Sequence, residues 1–150
     1  LGQALVLGLL LLSTVRTARW YGPDPAMETK AAQWEQIGEY VQHSDRVAML
    51  TEGYGNPLRY FGRVAGPFWR TSRSLEVNER RGTPKPRGES GFQSFLEKED
   101  PHFFVVTLLD ELALQPELAA ALDRFVILSE TQDYVIYDLR ALNVRPWPFP

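Results

Sequence analysis

His102 to Leu139 reads HFFVVTLLDELALQPELAAALDRFVILSETQDYVIYDL, and the fold turns on how this stretch is read. It holds an apolar run, Phe103–Leu109, a stretch of helix formers, a second apolar run, Phe125–Leu128, and a third run, Tyr134–Leu139. Val, Ile, Phe and Tyr dominate these runs, as in strands. The first two are almost continuously apolar, so each is expected to be buried on both faces, like a parallel strand covered by helices. Pro116 interrupts the segment between them. A helix is therefore predicted from Pro116 to about Arg124, with Gln115 as an imperfect cap. Thr131-Gln132-Asp133 is a tight connection, which predicts a hairpin of Phe125–Glu130 with Tyr134–Leu139. Tyr134 and Tyr137, three apart in a strand, are expected on opposite faces.

Around this stretch lie 150 residues, enough for one domain with a sizeable core. Apolar residues make up 44% and aromatics 12%, a globular composition rather than a disordered one. The net charge of −3 provides no basic field, so no nucleic-acid partner is expected. There is no cysteine, which excludes disulfides, thiolate zinc sites and cysteine nucleophiles.

Leu1–Val15 is uncharged and apolar, and Arg16, Arg19, Trp20 and Tyr21 follow it. Its fifteen residues fall short of the ~20 that span a bilayer. The chain opens on Leu, and the segment reads as the C-terminal part of a transmembrane helix (residues 1–19), with Arg, Trp and Tyr at the interface. A signal-peptide core is the rival reading, and a buried core helix a third. Gly22-Pro23-Asp24-Pro25 is a break. Asp24 then suits an N-cap, opening a helix whose Met27, Ala31, Trp34, Ile37 and Val41 share one face.

Arg46–Thr51 (RVAMLT) is predicted as the first strand. After a glycine turn, Asn56 and Pro57 are expected to cap and open a helix over Leu58–Gly62. Gly66–Thr71 (GPFWRT) is expected as a second strand, at an edge because of Pro67. Ser72–Gly91 lacks apolar periodicity and is expected as a mobile surface loop. Between Arg70 and Gly91 it carries six basic and three acidic residues, so phosphate or lipid-headgroup contact is one reading and plain solvation the other. Phe92–Glu99 is predicted as a short helix with Phe92, Phe95 and Leu96 inward. Val144–Pro150 is a proline-rich tail. The expected fold is a small three-layer α/β sandwich over residues 20–143. Its sheet is mostly parallel, of about five strands, with an antiparallel edge hairpin.

In such sheets ligands bind beyond the carboxyl ends of the strands. Glu52, Asp110, Glu111 and Glu130 are expected there. They are candidate ligand-binding residues, able in principle to hold a divalent cation or act as acid and base. The competing reading is that they cap helices and end strands in water, because no spacing ties the four together. Gly53-x-Gly55 resembles the start of a dinucleotide fingerprint, but position 58 is Leu, and a tight turn explains it. His43 and His102 lack partners at metal-ligand spacing, and Ser90 and Ser129 lack a nucleophile elbow. No metal or cofactor is expected.

Several pieces together resemble the soluble C-terminal domain of bacterial polytopic membrane glycosyltransferases, of the dolichyl-phosphate-mannose mannosyltransferase and aminoarabinose transferase kind. They are the apolar helix ending in basic residues, WEQIGEYV (Trp34–Val41), RVAMLT, NPLRYFGR (Asn56–Arg63), FVVTLLDE (Phe104–Glu111) and DYVIYDL (Asp133–Leu139). The likeness spans most of Trp20–Leu139. It implies a parent enzyme using a polyprenyl-phosphate-linked sugar donor, whose catalytic acids lie outside this chain. It also implies a non-catalytic domain on the extracytoplasmic side of the cell membrane, held by the N-terminal helix near lipid-linked sugar and acceptor. Arg16 and Arg19 argue the other way, since positive residues favour the cytoplasmic side. Two further functions remain open from the residues: a membrane-anchored or secreted ligand-binding module, and a soluble enzyme using the acidic edge.

Overall fold

A computed structural model describes residues 25–143, apart from residues 84 and 86. The chain divides into two compact units, 1–32 and 33–150. The first is described only from Pro25, the start of a helix that continues into the second. The transmembrane segment expected over 1–19, the Asp24 cap and the tail 144–150 lie outside the described residues. Among the described residues, no helix is long and apolar enough to cross a membrane.

The elements run α1 (Pro25–Tyr40), β1 (Val47–Leu50), a 3-10 turn (Glu52–Gly55), α2 (Asn56–Phe61), α3 (Ser72–Arg80), α4 (Gly88–Glu99), β2 (Phe103–Val106), α5 (Leu109–Ala113), α6 (Pro116–Leu122), β3 (Phe125–Glu130) and β4 (Val135–Leu142). The four strands form one mixed sheet in the order β1-β2-β4-β3. β1 and β2 are parallel, β4 is antiparallel to β2, and β3 and β4 form the expected hairpin. The sheet is thus mixed and four-stranded, not mostly parallel and about five-stranded.

Pro67 accounts for the missing strand. The segment 65–69 lies parallel beside β1, with Val47 N–H donating to Ala65 O, Met49 N–H to Pro67 O and Trp69 N–H to Met49 O. A regular ladder would next need a donor at position 67, where proline has none. Pairing stops at one bridge, Met49 with Phe68. β3 also departs from expectation. It is an edge strand, with Ile127 and Leu128 exposed, and its register slips twice against β4. An apolar run of this length does not reveal whether a neighbour covers both sides.

Side chains alternate between two cores on opposite faces of the sheet. Ala48, Leu50, Phe104, Val106, Val135 and Tyr137 join Phe92 of α4 and Leu118, Ala121 and Leu122 of α6. Val47, Met49, Phe103, Val105, Tyr134 and Ile136 join Trp34, Ile37 and Val41 and Leu58 of α2. Helices therefore lie on both faces, and Tyr134 and Tyr137 face opposite ways. On α1, Trp34 and Ile37 of the predicted stripe are buried, while Met27 is exposed. Gly38 lets the backbones meet, since a Cβ there would lie 2.1 Å from Gly62 O. His43, just past the helix, donates from Nδ1 to the same oxygen at 2.8 Å.

The segment expected as a mobile loop is largely helical. Thr71 caps α3, its Oγ1 accepting from Ser74 N–H, and Leu75 is buried. A single buried apolar anchor produces no 3.6-residue pattern, so the helix rests on its cap and on a contact from elsewhere in the chain.

Candidate functional site at the carboxyl edge

The chain leaves β1 and β2 on opposite faces. After β1 it turns into α2, which packs with Met49 and Val105. After β2 it enters α5 and α6, which pack with Leu50 and Val106. Exits that diverge after neighbouring parallel strands mark the edge at which open α/β sheets take ligands.

Three hydroxyl residues stand in a row on one face of the sheet at this edge. Thr51 and Thr107 lie one step beyond the last paired residues of β1 and β2, and Tyr134 one step before Val135 of β4. Alternation puts all three on the face of Met49 and Val105, and Tyr134 is a member of that core. Thr51 is 2% exposed. The buried hydroxyl oxygens of Thr51 and Thr107 have no hydrogen-bond partner among the described residues. Above Thr51, Gly53, Tyr54 and Gly55 are all left-handed, with φ of 58°, 58° and 78°. A Cβ on Gly55 would lie 3.5 Å from Thr51 Oγ1 and 3.0 Å from Met49 Sδ. The turn closes down on the threonine, and two of its three positions are glycines, which adopt this backbone without a Cβ clash. Arg59 braces it, donating to Tyr54 O at 3.2 Å and to Gly66 O at 2.8 Å. Gly55 in this conformation, not Asn56, is the cap of α2, and Asn56 is the first helical residue. The glycine pair makes a tight turn.

The four candidate acids do not form one cluster. Glu52 follows β1, while Glu130 ends β3, three strand spacings away in the order β1-β2-β4-β3, or roughly 14 Å. Glu130 acts on a different group: burial first, then the charges of Asp123 and Glu130, push the Tyr137 hydroxyl up to about 12. Asp110 is exposed in the first turn of α5. Glu111 is turned away towards α3. Its carboxylate accepts from Ser72 N–H at the start of that helix, and from Gln115 Nε2 at 2.9 Å. Burial pushes the Glu111 carboxyl up, but the hydrogen bonds from Ser72 and Gln115 outweigh it and hold the group below its ordinary value. Gln115 also accepts from Trp69 Nε1 at 2.9 Å and donates to Arg70 O at 3.1 Å. Glu111 and Gln115 thus knot the 69–72 segment to α5 and α6. Gln115 precedes α6 as expected, yet its side chain makes no cap there.

At the opposite edge, Arg46 Nη1 lies 2.7 Å from Asp100 and 3.2 Å from His102 Nε2. Arg140 grips Asp138 with two hydrogen bonds of 2.9 and 2.8 Å and lies over the Phe103 ring, 4.6 Å from its centroid. The Arg140 hydrogen bond is the main reason the Asp138 carboxyl lies below its ordinary value. Among the described residues, no three or more of His, Cys, Asp and Glu are grouped to hold a metal ion. No family model matches the sequence, and neither a curated protein nor a solved structure matches it.

Proposed function

We propose that this chain is a non-catalytic domain of a membrane glycosyltransferase that uses a polyprenyl-phosphate-linked sugar, with the domain on the extracytoplasmic side. The observation that carries the non-catalytic part is Glu111. It is engaged by a helix start and a glutamine, and Glu130 stands on the far strand. A general base must reach its proton within hydrogen-bond distance or through one water, and neither Glu111 nor Glu130, so placed, is set to pair with another of the four acids on one bond. The glycosyltransferase part rests on the resemblance alone. Those of its segments that lie within the described residues fall on α1, β1, α2, β2 with the start of α5, and β4, and all of these but α5 contribute to the second core. The test has two arms. The isolated chain, given a polyprenyl-phosphate sugar and acceptor, is expected to transfer nothing. In the parent enzyme, alanine at Glu52, Asp110 or Glu130 is expected to leave substantial turnover. Abolished turnover in a variant that still folds and inserts would place the edge in the active site and overturn the reading.

A ligand-binding module is the second reading, and the Thr51–Thr107–Tyr134 row favours it. Thr51→Val separates the two. Where the hydroxyl serves no ligand, removing an unpartnered buried polar group raises stability by about 1 kcal/mol with nothing lost. Where it serves one, the same variant loses ligand affinity.

A further inference from the structure

A groove lies between the 67–70 segment and α4, on residues other than the Thr51–Thr107–Tyr134 row. It has a volume of about 490 Å³, within the range of small-molecule sites. The 67–70 segment forms one wall and α4 the other, with Leu75 of α3 between them. Trp69 and Phe95 supply an aromatic floor, their rings edge to face at 5.1 Å. The charged lining residues are Arg70, Lys85, Lys98 and Glu99, three cations against one carboxylate. Lys98 is paired with Glu99. The Arg70 guanidinium is exposed and makes no ion pair or side-chain hydrogen bond among the described residues. The basic segment that the sequence singles out therefore delivers charge to the rim of an apolar cleft.

We propose that this groove binds a small aromatic carboxylate. The chemistry follows from its two halves. A flat ring gains most from a floor of aromatic side chains. A planar guanidinium with no partner matches a carboxylate through two parallel hydrogen bonds. The lone acid of the rim is already neutralised by Lys98, so nothing there repels an anion. The site goes beyond the reading above and does not depend on it.

Calorimetric titration of the chain with 2-naphthoate tests the assignment, with 2-naphthylmethanol and acetate as comparators. Naphthoate is expected to bind saturably at one site, and each comparator, lacking either the charge or the ring, at least about tenfold more weakly. Arg70→Ala is expected to weaken naphthoate about tenfold or more, with the melting temperature unchanged because the side chain is exposed. Ser94→Trp, at an exposed position lining the groove, is expected to abolish binding. No saturable binding of naphthoate, equal binding of naphthylmethanol, or unchanged affinity in either variant would overturn the proposal.

Discussion

Two carboxylates are tuned by the fold and make the chain sensitive to acid. Glu111 and Asp138 are both held below their ordinary values. The folded chain therefore binds their protons more weakly than the unfolded chain does. Their contribution is fully present above the unfolded values, at about 4, and is lost as pH falls through the folded values. Glu111→Gln and Asp138→Asn should each lower stability at neutral pH, with the deficit shrinking as the medium is acidified below about pH 4. Urea midpoints across that range decide it, and deficits independent of pH would show that neither charge matters. Position along the strands marked Glu111 as a site candidate. Its partner Ser72 lies far away in sequence, so nothing local showed that the carboxylate serves a helix start. The two threonines were not singled out from the sequence, although a signal for them was there. Each parallel strand runs into a threonine, RVAMLT and FFVVT, and a hydroxyl ending two apolar runs is a readable sign of paired polar groups at one edge.

The elements were legible in proportion to how much their own residues stabilise them. β1, β2 and the hairpin announce themselves through β-branched and aromatic runs. α3 does not, because Leu75 is its one buried residue. α5 is likewise hidden, a five-residue helix with no buried residue, running up to the proline that starts α6. The contact of α1 with the end of α2 is the least legible of all, since a glycine inside a helix reads only as a weakness. Here Gly38 is what permits the approach. Gly38→Ala would improve helix propensity, yet it places a methyl against Gly62 O. Overpacking should win, costing about 1–3 kcal/mol, and a denaturant melt that shows stabilisation would refute the close approach. Gly62→Ala should fare no better, because its Cβ would meet Leu58 O at 2.7 Å and Trp34 O at 2.8 Å.

At the scale of the 33–150 unit, the sheet is a wall between two cores, and its central strands carry both. β2 is buried at all four positions, between β1 on one side and β4 on the other. Val106→Asp should therefore unfold the unit. An unpaired carboxylate there costs several kcal/mol, on the order of a small domain's whole stability. Lys85→Ala, on the exposed rim of the groove, should change stability by less than about 0.5 kcal/mol. Similar melting temperatures for the two would contradict the placement of β2. The layered architecture was readable from alternating strands and helices. The sheet order was not, because whether β4 joins β2 or extends the far side of β3 depends on pairing that no local pattern encodes.

The parallel pairing of β1 with β2 also sets the order in which the structure can form. β3 and β4 are joined by a short turn, and β2 lies only two brief helices upstream. Val47 reaches Phe103 only after the chain between them, with α2, α3 and α4, has been gathered into a loop. That closure spends entropy before any contact offsets it, whereas the hairpin's contacts are local. The folding nucleus should thus lie in the C-terminal half, with β1 docking late. Ile136→Val should slow refolding, and Val47→Ala should mainly speed unfolding. Stopped-flow traces showing the reverse would place the nucleus at the parallel pair.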